Sequence, residues 1–198
     1  MNLANKLTIF RIILVLIMLI VALMNPSGSF LGIGTTFWIL EIIFIVASLT
    51  DKLDGYIART KNEVTTFGKF LDPIADKILV LTAMILLVEF DRLPAWIPII
   101  VMFREFIVSG FRLLASQKGG KVIAASIWGK LKTVTQMIAI ILMFIDNYSY
   151  GYFINNQIEN IGLRILNIAT FIMMTISVVA TIFSGFDYIK NGKDLFKD

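Results

Sequence analysis

The chain has 198 residues, of which 58% are hydrophobic and 16% charged, with a net charge of +4, and its mean hydropathy of +0.84 is far above that of a soluble domain of this size. Such a chain belongs in a bilayer, where an excess of Lys and Arg reports orientation and contact with anionic lipid rather than nucleic acid. With neither Cys nor His, disulfides, thiolate metal sites and imidazole chemistry are excluded, so any reaction runs on carboxylates, amines, guanidinium groups and hydroxyls.

A spanning helix needs about 20 mostly apolar residues, and six windows meet that requirement. The first, 7–24, follows Lys6 and contains Arg11, which gives it the look of a secretory leader; no small-x-small cleavage site follows, and it is read as a retained helix. The turn "NPSGSFLGIG" (25–34) leads to the second window, 37–58. The third window, 68–90, ends at "EFDRLPAW" (89–96), which opens the fourth, 96–116. "QKGGKVIAASIWGK" (117–130) precedes the fifth, 128–146, and "DNYSYGYFINNQIEN" (146–160) separates it from the sixth, 161–188. All four breaks are rich in Gly, Pro, Asn or Ser. Without an internal repeat or a long linker, the expectation is one all-α membrane domain over residues 1–198, a six-transmembrane-helix bundle with both ends on one side.

Basic residues set the orientation, because short cytoplasmic loops hold the excess. With both termini inside, all of the 18 Lys and Arg except Arg92, Arg104 and Arg164 fall at the cytoplasmic face. This orientation, typical of a bacterial plasma-membrane protein, puts the segment from Asp51 to Asp76 in the cytosol.

That segment holds the chemistry. Asp51 and Asp54 are spaced i,i+3 at the end of the second window, and Asp72 and Asp76 i,i+4 near the start of the third; each pair shares one helical face. Consecutive helices joined by a short turn run antiparallel, so the four carboxylates converge at one depth. Uncompensated, they would repel one another and resist desolvation. Two divalent cations balance the formal charge, and oxygen ligands without His or Cys suit Mg²⁺ or Mn²⁺. Metals about 3.5–4 Å apart are a familiar clamp for in-line displacement at phosphorus. Gly55, Gly68 and Ala58 keep side chains away where a ligand approaches the backbone. Pro73 disfavours a helical Asp72, which puts Asp72 in the first turn of the third helix or at a kink. The bland reading, a solvated charged loop, does not account for four carboxylates and the small residues in register.

The spacing D51-x-x-D54-G55-x-x-A58-R59-x8-G68-x-x-x-D72-x-x-x-D76 resembles the signature of the CDP-alcohol phosphotransferases. The resemblance implies the fold of that family and an integral membrane enzyme, usually a homodimer, that takes a CDP-linked lipid and an alcohol and releases CMP. It implies that Asp51, Asp54, Asp72 and Asp76 bind two divalent metals, that Asp76 is the base, and that Gly55, Ala58, Arg59 and Gly68 lie against the nucleotide. Asn5 and Thr8, with Arg11 at the same i,i+3 spacing, close the nucleotide site or anchor the first helix.

The acceptor alcohol must be read from cations outside the signature. Arg104 beside Glu105, deep in the fourth window, is a functional candidate or a structural ion pair. Arg112, with Lys130 and Lys132 of "GKLKTVTQ" and Thr60 nearby, suits the phosphate of a phosphorylated alcohol; positive-inside bias is the alternative. The strings "RIILV", "REFIVSGFR" and "GKLKTVTQ" look more like the branch of the family that joins CDP-diacylglycerol to glycerol 3-phosphate. The alternatives are another acceptor (inositol 1-phosphate, serine or phosphatidylglycerol) or, from a different class, a divalent cation transporter with a carboxylate site. Transport is disfavoured because Glu41 and Asp146 are the isolated acidic groups available to extend a path.

Overall fold

The structure is a computed structural model and describes residues 3–60, 65–117 and 127–192. Each of the six expected windows falls on one long helix: α1 (Leu3–Met24), α2 (Thr35–Thr60), α3 (Thr66–Glu89), α4 (Trp96–Gln117), α5 (Ile127–Ile145) and α7 (Ile161–Gly192). Among the described residues, three of them, α1, α5 and α7, hold stretches long and apolar enough to cross a membrane. The other three carry the aspartates or the Arg104–Glu105 pair. Two elements lie where only turns were expected: a hairpin of β1 (Ser29–Phe30) and β2 (Ile33–Gly34), and a one-turn helix α6 (Tyr152–Asn155).

The chain forms two compact units, the first comprising Met1–Arg92 with Met143–Asn147, the second Leu93–Leu142 with Tyr148–Asp198. In the first unit, α1 packs against both α2 and α3. Met18, Leu40, Phe44, Ala47, Leu79, Ala83 and Phe144 are fully buried there. The small side chains Ala47 and Ala83 let the helices approach closely. The hairpin turns through Leu31 and Gly32, both at positive φ (53° and 77°), the geometry that matches a tight two-residue turn to the twist of its strands. Thr36 Oγ1 donates to Asn25 Oδ1 at 2.9 Å, and the Thr35 N–H to the Gly28 carbonyl at 3.0 Å, fixing the start of α2.

Arg92 follows α3 and has a structural assignment. Its Nη1 donates to the carbonyls of Met143 and Phe144, each at 3.0 Å, and the guanidinium lies 3.3 Å from the Phe37 ring centroid. A buried cation thus satisfies orphan carbonyls at the end of α5. Burial lowers the Arg92 pKa to about 10, while the nearby Asp146 carboxylate opposes that shift. Asp146, expected to be isolated, therefore has a cation within electrostatic reach.

In the second unit α4 packs against α7. On α4, Arg104 and Glu105 are largely covered, whereas the flanking Phe103 and Phe106 point outward, 64% and 68% exposed. Charges inside and aromatics outside is the reverse of a soluble helix and the arrangement expected in lipid. The segment before α7 is pinned by the buried Asn167, which donates to the Ser149 carbonyl and accepts from the Phe153 N–H, both at 3.1 Å. Tyr150 and Phe153 pack on Phe171, which explains why α6 forms in a stretch too short for sequence periodicity to mark.

Candidate active site

The site in the first unit is assembled by α1. Asn5, Thr8 and Arg11 recur every third residue on one buried face of that helix, and each meets a different part of the aspartate segment. The Arg11 side chain is completely buried, with Nη1 2.8 Å from Asp51 Oδ1 near the end of α2. One turn earlier, Thr8 Oγ1 donates to Asp72 Oδ1 at 2.6 Å. Another turn back, Asn5 Oδ1 accepts from Thr65 Oγ1 at 2.9 Å. Since residues three apart on a helix sit about 5–6 Å apart, Thr8 and Arg11 hold one carboxylate from α2 and one from α3 as near neighbours. The guanidinium, buried and permanently charged, requires such a carboxylate partner.

Thr65 is the residue that sequence reasoning missed. Its hydroxyl accepts from the Gly68 N–H at 3.0 Å, the bond of a helix N-cap, so α3 starts at Thr66 rather than at 68. The signal was present in "TTFG", a threonine three residues before the capped amide. The same hydroxyl donates to Asn5, so one group both starts α3 and ties it to α1. Gly68 is required by these contacts: a Cβ there would lie 2.9 Å from Asn5 Oδ1 and 3.2 Å from Thr65 Oγ1. The protein's own groups thus make a close approach at this glycine. Starting α3 at Thr66 also puts Pro73 well inside the helix, which removes the first turn from the two placements expected for Asp72, the first turn or a kink.

Asp72 is half-buried and Asp76, one turn further along α3, is exposed. The Asp51 side chain is 42% exposed, so the carboxylates line a region open at its surface. Asp54, Gly55, Ala58, Arg59 and Thr60 lie on the last turns of α2, but their side chains fall outside the described residues. Among the described residues no three acidic side chains already form a metal-holding group. The donor chemistry nonetheless fits a hard cation. The fixed groups are carboxylate and hydroxyl oxygens, and Thr8 and Arg11 hold one oxygen each of Asp72 and Asp51 in place.

The second unit holds the remaining sequence candidates. Glu105 Oε1 accepts from Arg104 Nη1 at 2.8 Å and from Lys132 Nζ at 2.7 Å, and Arg104 Nη2 also donates to Ser184 Oγ on α7. Arg104 and Glu105 are therefore an ion pair, and Lys132 joins it. Arg112 Nη2 donates to Tyr188 Oη at 2.9 Å, while Lys130 is exposed at the start of α5. Of the three cations assigned to the acceptor, Lys132 meets a carboxylate, Arg112 a phenol, and Lys130 faces outward.

This constellation belongs to a known class: the chain matches the CDP-alcohol phosphatidyltransferase family over residues 1–183 and belongs to it. Among its relatives, the CDP-diacylglycerol–glycerol-3-phosphate 3-phosphatidyltransferase of Bacillus subtilis (strain 168) is 38% identical, covering 99% of this chain and 97% of the relative. The enzyme of the same name from Haemophilus influenzae is 37% identical over 100% and 96%. A probable phosphatidylglycerophosphate synthase of Mycobacterium tuberculosis is 35% identical over 95% and 80%.

Proposed function

We propose that this chain transfers the phosphatidyl group of CDP-diacylglycerol to glycerol 3-phosphate, giving phosphatidylglycerophosphate and CMP, a step of anionic phospholipid synthesis. The observation that carries the reading is that α1 meets carboxylates from both halves of the signature, through the Arg11–Asp51 ion pair and the Thr8–Asp72 hydrogen bond. The names of its relatives support the acceptor.

In this reading all six long helices span a bacterial plasma membrane as one domain, with both termini and the carboxylates on the cytoplasmic side, and two copies form a homodimer. The outward aromatics of α4 and the distribution of Lys and Arg support that topology. Asp51, Asp54, Asp72 and Asp76 hold two divalent ions, Mg²⁺ or Mn²⁺, which supply charge neutralisation to the diphosphate and the departing CMP. Gly55, Ala58 and Arg59 lie beside the nucleotide. Gly68, Asn5 and Thr8 shape its pocket through the bonds that fix the start of α3. Asp76, the most exposed described carboxylate of the signature, accepts the proton of the acceptor's primary hydroxyl as that oxygen attacks the β-phosphorus, and the bond to CMP breaks. Thr60, Arg112, Lys130 and Lys132 receive the acceptor's phosphate.

Purified protein given CDP-diacylglycerol, Mg²⁺ and radiolabelled glycerol 3-phosphate tests the reading. A labelled lipid carrying a terminal phosphate monoester is expected. Label confined to the aqueous phase while CDP-diacylglycerol is consumed overturns it.

A further inference from the structure

The cations of the second unit divide by their partners. Arg104 and Lys132 share the carboxylate of Glu105. Arg112 meets a neutral group: Nη2 is bonded to Tyr188 Oη at 2.9 Å, and its guanidinium carbon lies 5.6 Å from the Tyr188 ring centroid. Tyr188 is 1% exposed, whereas Arg112 is exposed. The phenol is therefore a fixed post and the guanidinium the part that reaches the surface.

A guanidinium offers five donors in a planar fork, and one is committed to Tyr188. A free arginine side chain loses rotamer entropy when a ligand immobilises it. Holding it beforehand transfers that cost to folding and leaves the rest of the fork for a planar or tetrahedral oxyanion. Tyr188 itself cannot move to follow the ligand. Its helix packs closely on α4 nearby, where Gly192 lies so near the Phe111 ring that no Cβ would fit between them. Arg104 also stands near this ring, its guanidinium carbon 5.9 Å from the Tyr188 centroid.

We propose that Tyr188 is a positioning residue for the acceptor's phosphate: it holds the Arg112 guanidinium in the orientation that receives a phosphate monoester and so sets affinity for phosphorylated over neutral alcohols. This rests on the reading above that Arg112 binds that phosphate. It adds α7 to the acceptor site, through a tyrosine whose only mark in the sequence is its place in an apolar helix.

Tyr188→Phe removes one oxygen and keeps the ring. With purified full-length protein in mixed micelles, CMP release is measured for the wild type, Tyr188→Phe, Arg112→Ala and the double variant. A lost hydrogen bond to a charged group predicts an increase of about ten- to 150-fold in the glycerol 3-phosphate KM of Tyr188→Phe. Its kcat and its KM for CDP-diacylglycerol stay within twofold, its unfolding midpoint is unchanged, and the substitution adds nothing in the Arg112→Ala background. An unchanged acceptor KM in Tyr188→Phe, with a raised one in Arg112→Ala, overturns the proposal and leaves the acceptor assignment standing. An equal effect of Tyr188→Phe in both backgrounds, or a rise in both substrates' KM with a lowered midpoint, also overturns it. If Arg112→Ala leaves the glycerol 3-phosphate KM unchanged, the acceptor assignment itself fails, and the role of Tyr188 with it.

Discussion

Gly68→Ala separates two reasons for a glycine in the signature: room for a bound nucleotide and room for the protein's own α1–α3 contact. The added Cβ would sit 2.9 Å from Asn5 Oδ1 and 3.2 Å from Thr65 Oγ1, where ordinary carbon–oxygen contacts are several tenths of an ångström longer. Asn5 is buried and bonded to Thr65, so its displacement carries an overpacking cost of about 1–3 kcal/mol and loses a hydrogen bond of about 0.5–1.5 kcal/mol. Replacing glycine within a helix returns about 0.5–1 kcal/mol. The net loss is about 2 kcal/mol, which lowers the unfolding midpoint of a chain this long by about 4–8 °C. The assay is thermal unfolding in detergent, followed by tryptophan fluorescence, without metal or nucleotide-lipid. Asn5→Ala in the same background clears the nearer contact, so the double variant loses at least about 1 kcal/mol less than the sum of the single losses. A Gly68→Ala protein with wild-type stability and impaired CDP-lipid binding would show that the glycine serves the ligand and refute the packing argument.

Asp76→Asn keeps shape and one ligand oxygen but removes the basic lone pair, so turnover falls by about 10²–10⁴-fold while Mg²⁺-dependent binding of CDP-diacylglycerol survives; more than about a tenth of wild-type turnover rules out a general base there. Chelation with EDTA abolishes CMP release, and Mg²⁺ or Mn²⁺ restores it; full turnover in excess chelator contradicts the metal assignment. Arg92→Met strips the cation from two carbonyls at the end of α5 and lowers stability by at least about 2 kcal/mol, with kcat per folded molecule unchanged; an undiminished midpoint shows that the buried contacts of Arg92 contribute nothing net.

The long helices were legible because hydropathy sums over twenty residues, and tertiary context does not alter that signal. The hairpin at Ser29–Gly34 and the one-turn α6 were not, since two- and four-residue elements have no period to detect. Their formation depends on positive-φ residues and on partners such as Asn147, which donates to the Gly32 carbonyl from far along the chain. The i,i+3 and i,i+4 spacing put each pair of aspartates on one helical face in the sequence. Which residue of α1 meets which carboxylate did not follow, because Thr8 and Asp72 are 64 positions apart and only packing pairs them. The start of α3 was written in the sequence as a threonine cap and was overlooked because the acidic partner of a capping box is missing. The partner of Lys132 was equally hidden: Glu105, which accepts from it, lies on another helix 27 positions away, and only packing pairs them.

The most direct measurement is CMP release by the purified protein with CDP-diacylglycerol, Mg²⁺ and one alcohol at a time: glycerol 3-phosphate, inositol 1-phosphate, serine or phosphatidylglycerol. Turnover with glycerol 3-phosphate, exceeding that with every other alcohol by at least about tenfold, a difference of about 1.4 kcal/mol in transition-state binding, is the predicted result. Comparable CMP release with inositol 1-phosphate or serine would contradict the assigned acceptor, and none with any alcohol would contradict the assignment of the carboxylates to phosphatidyl transfer.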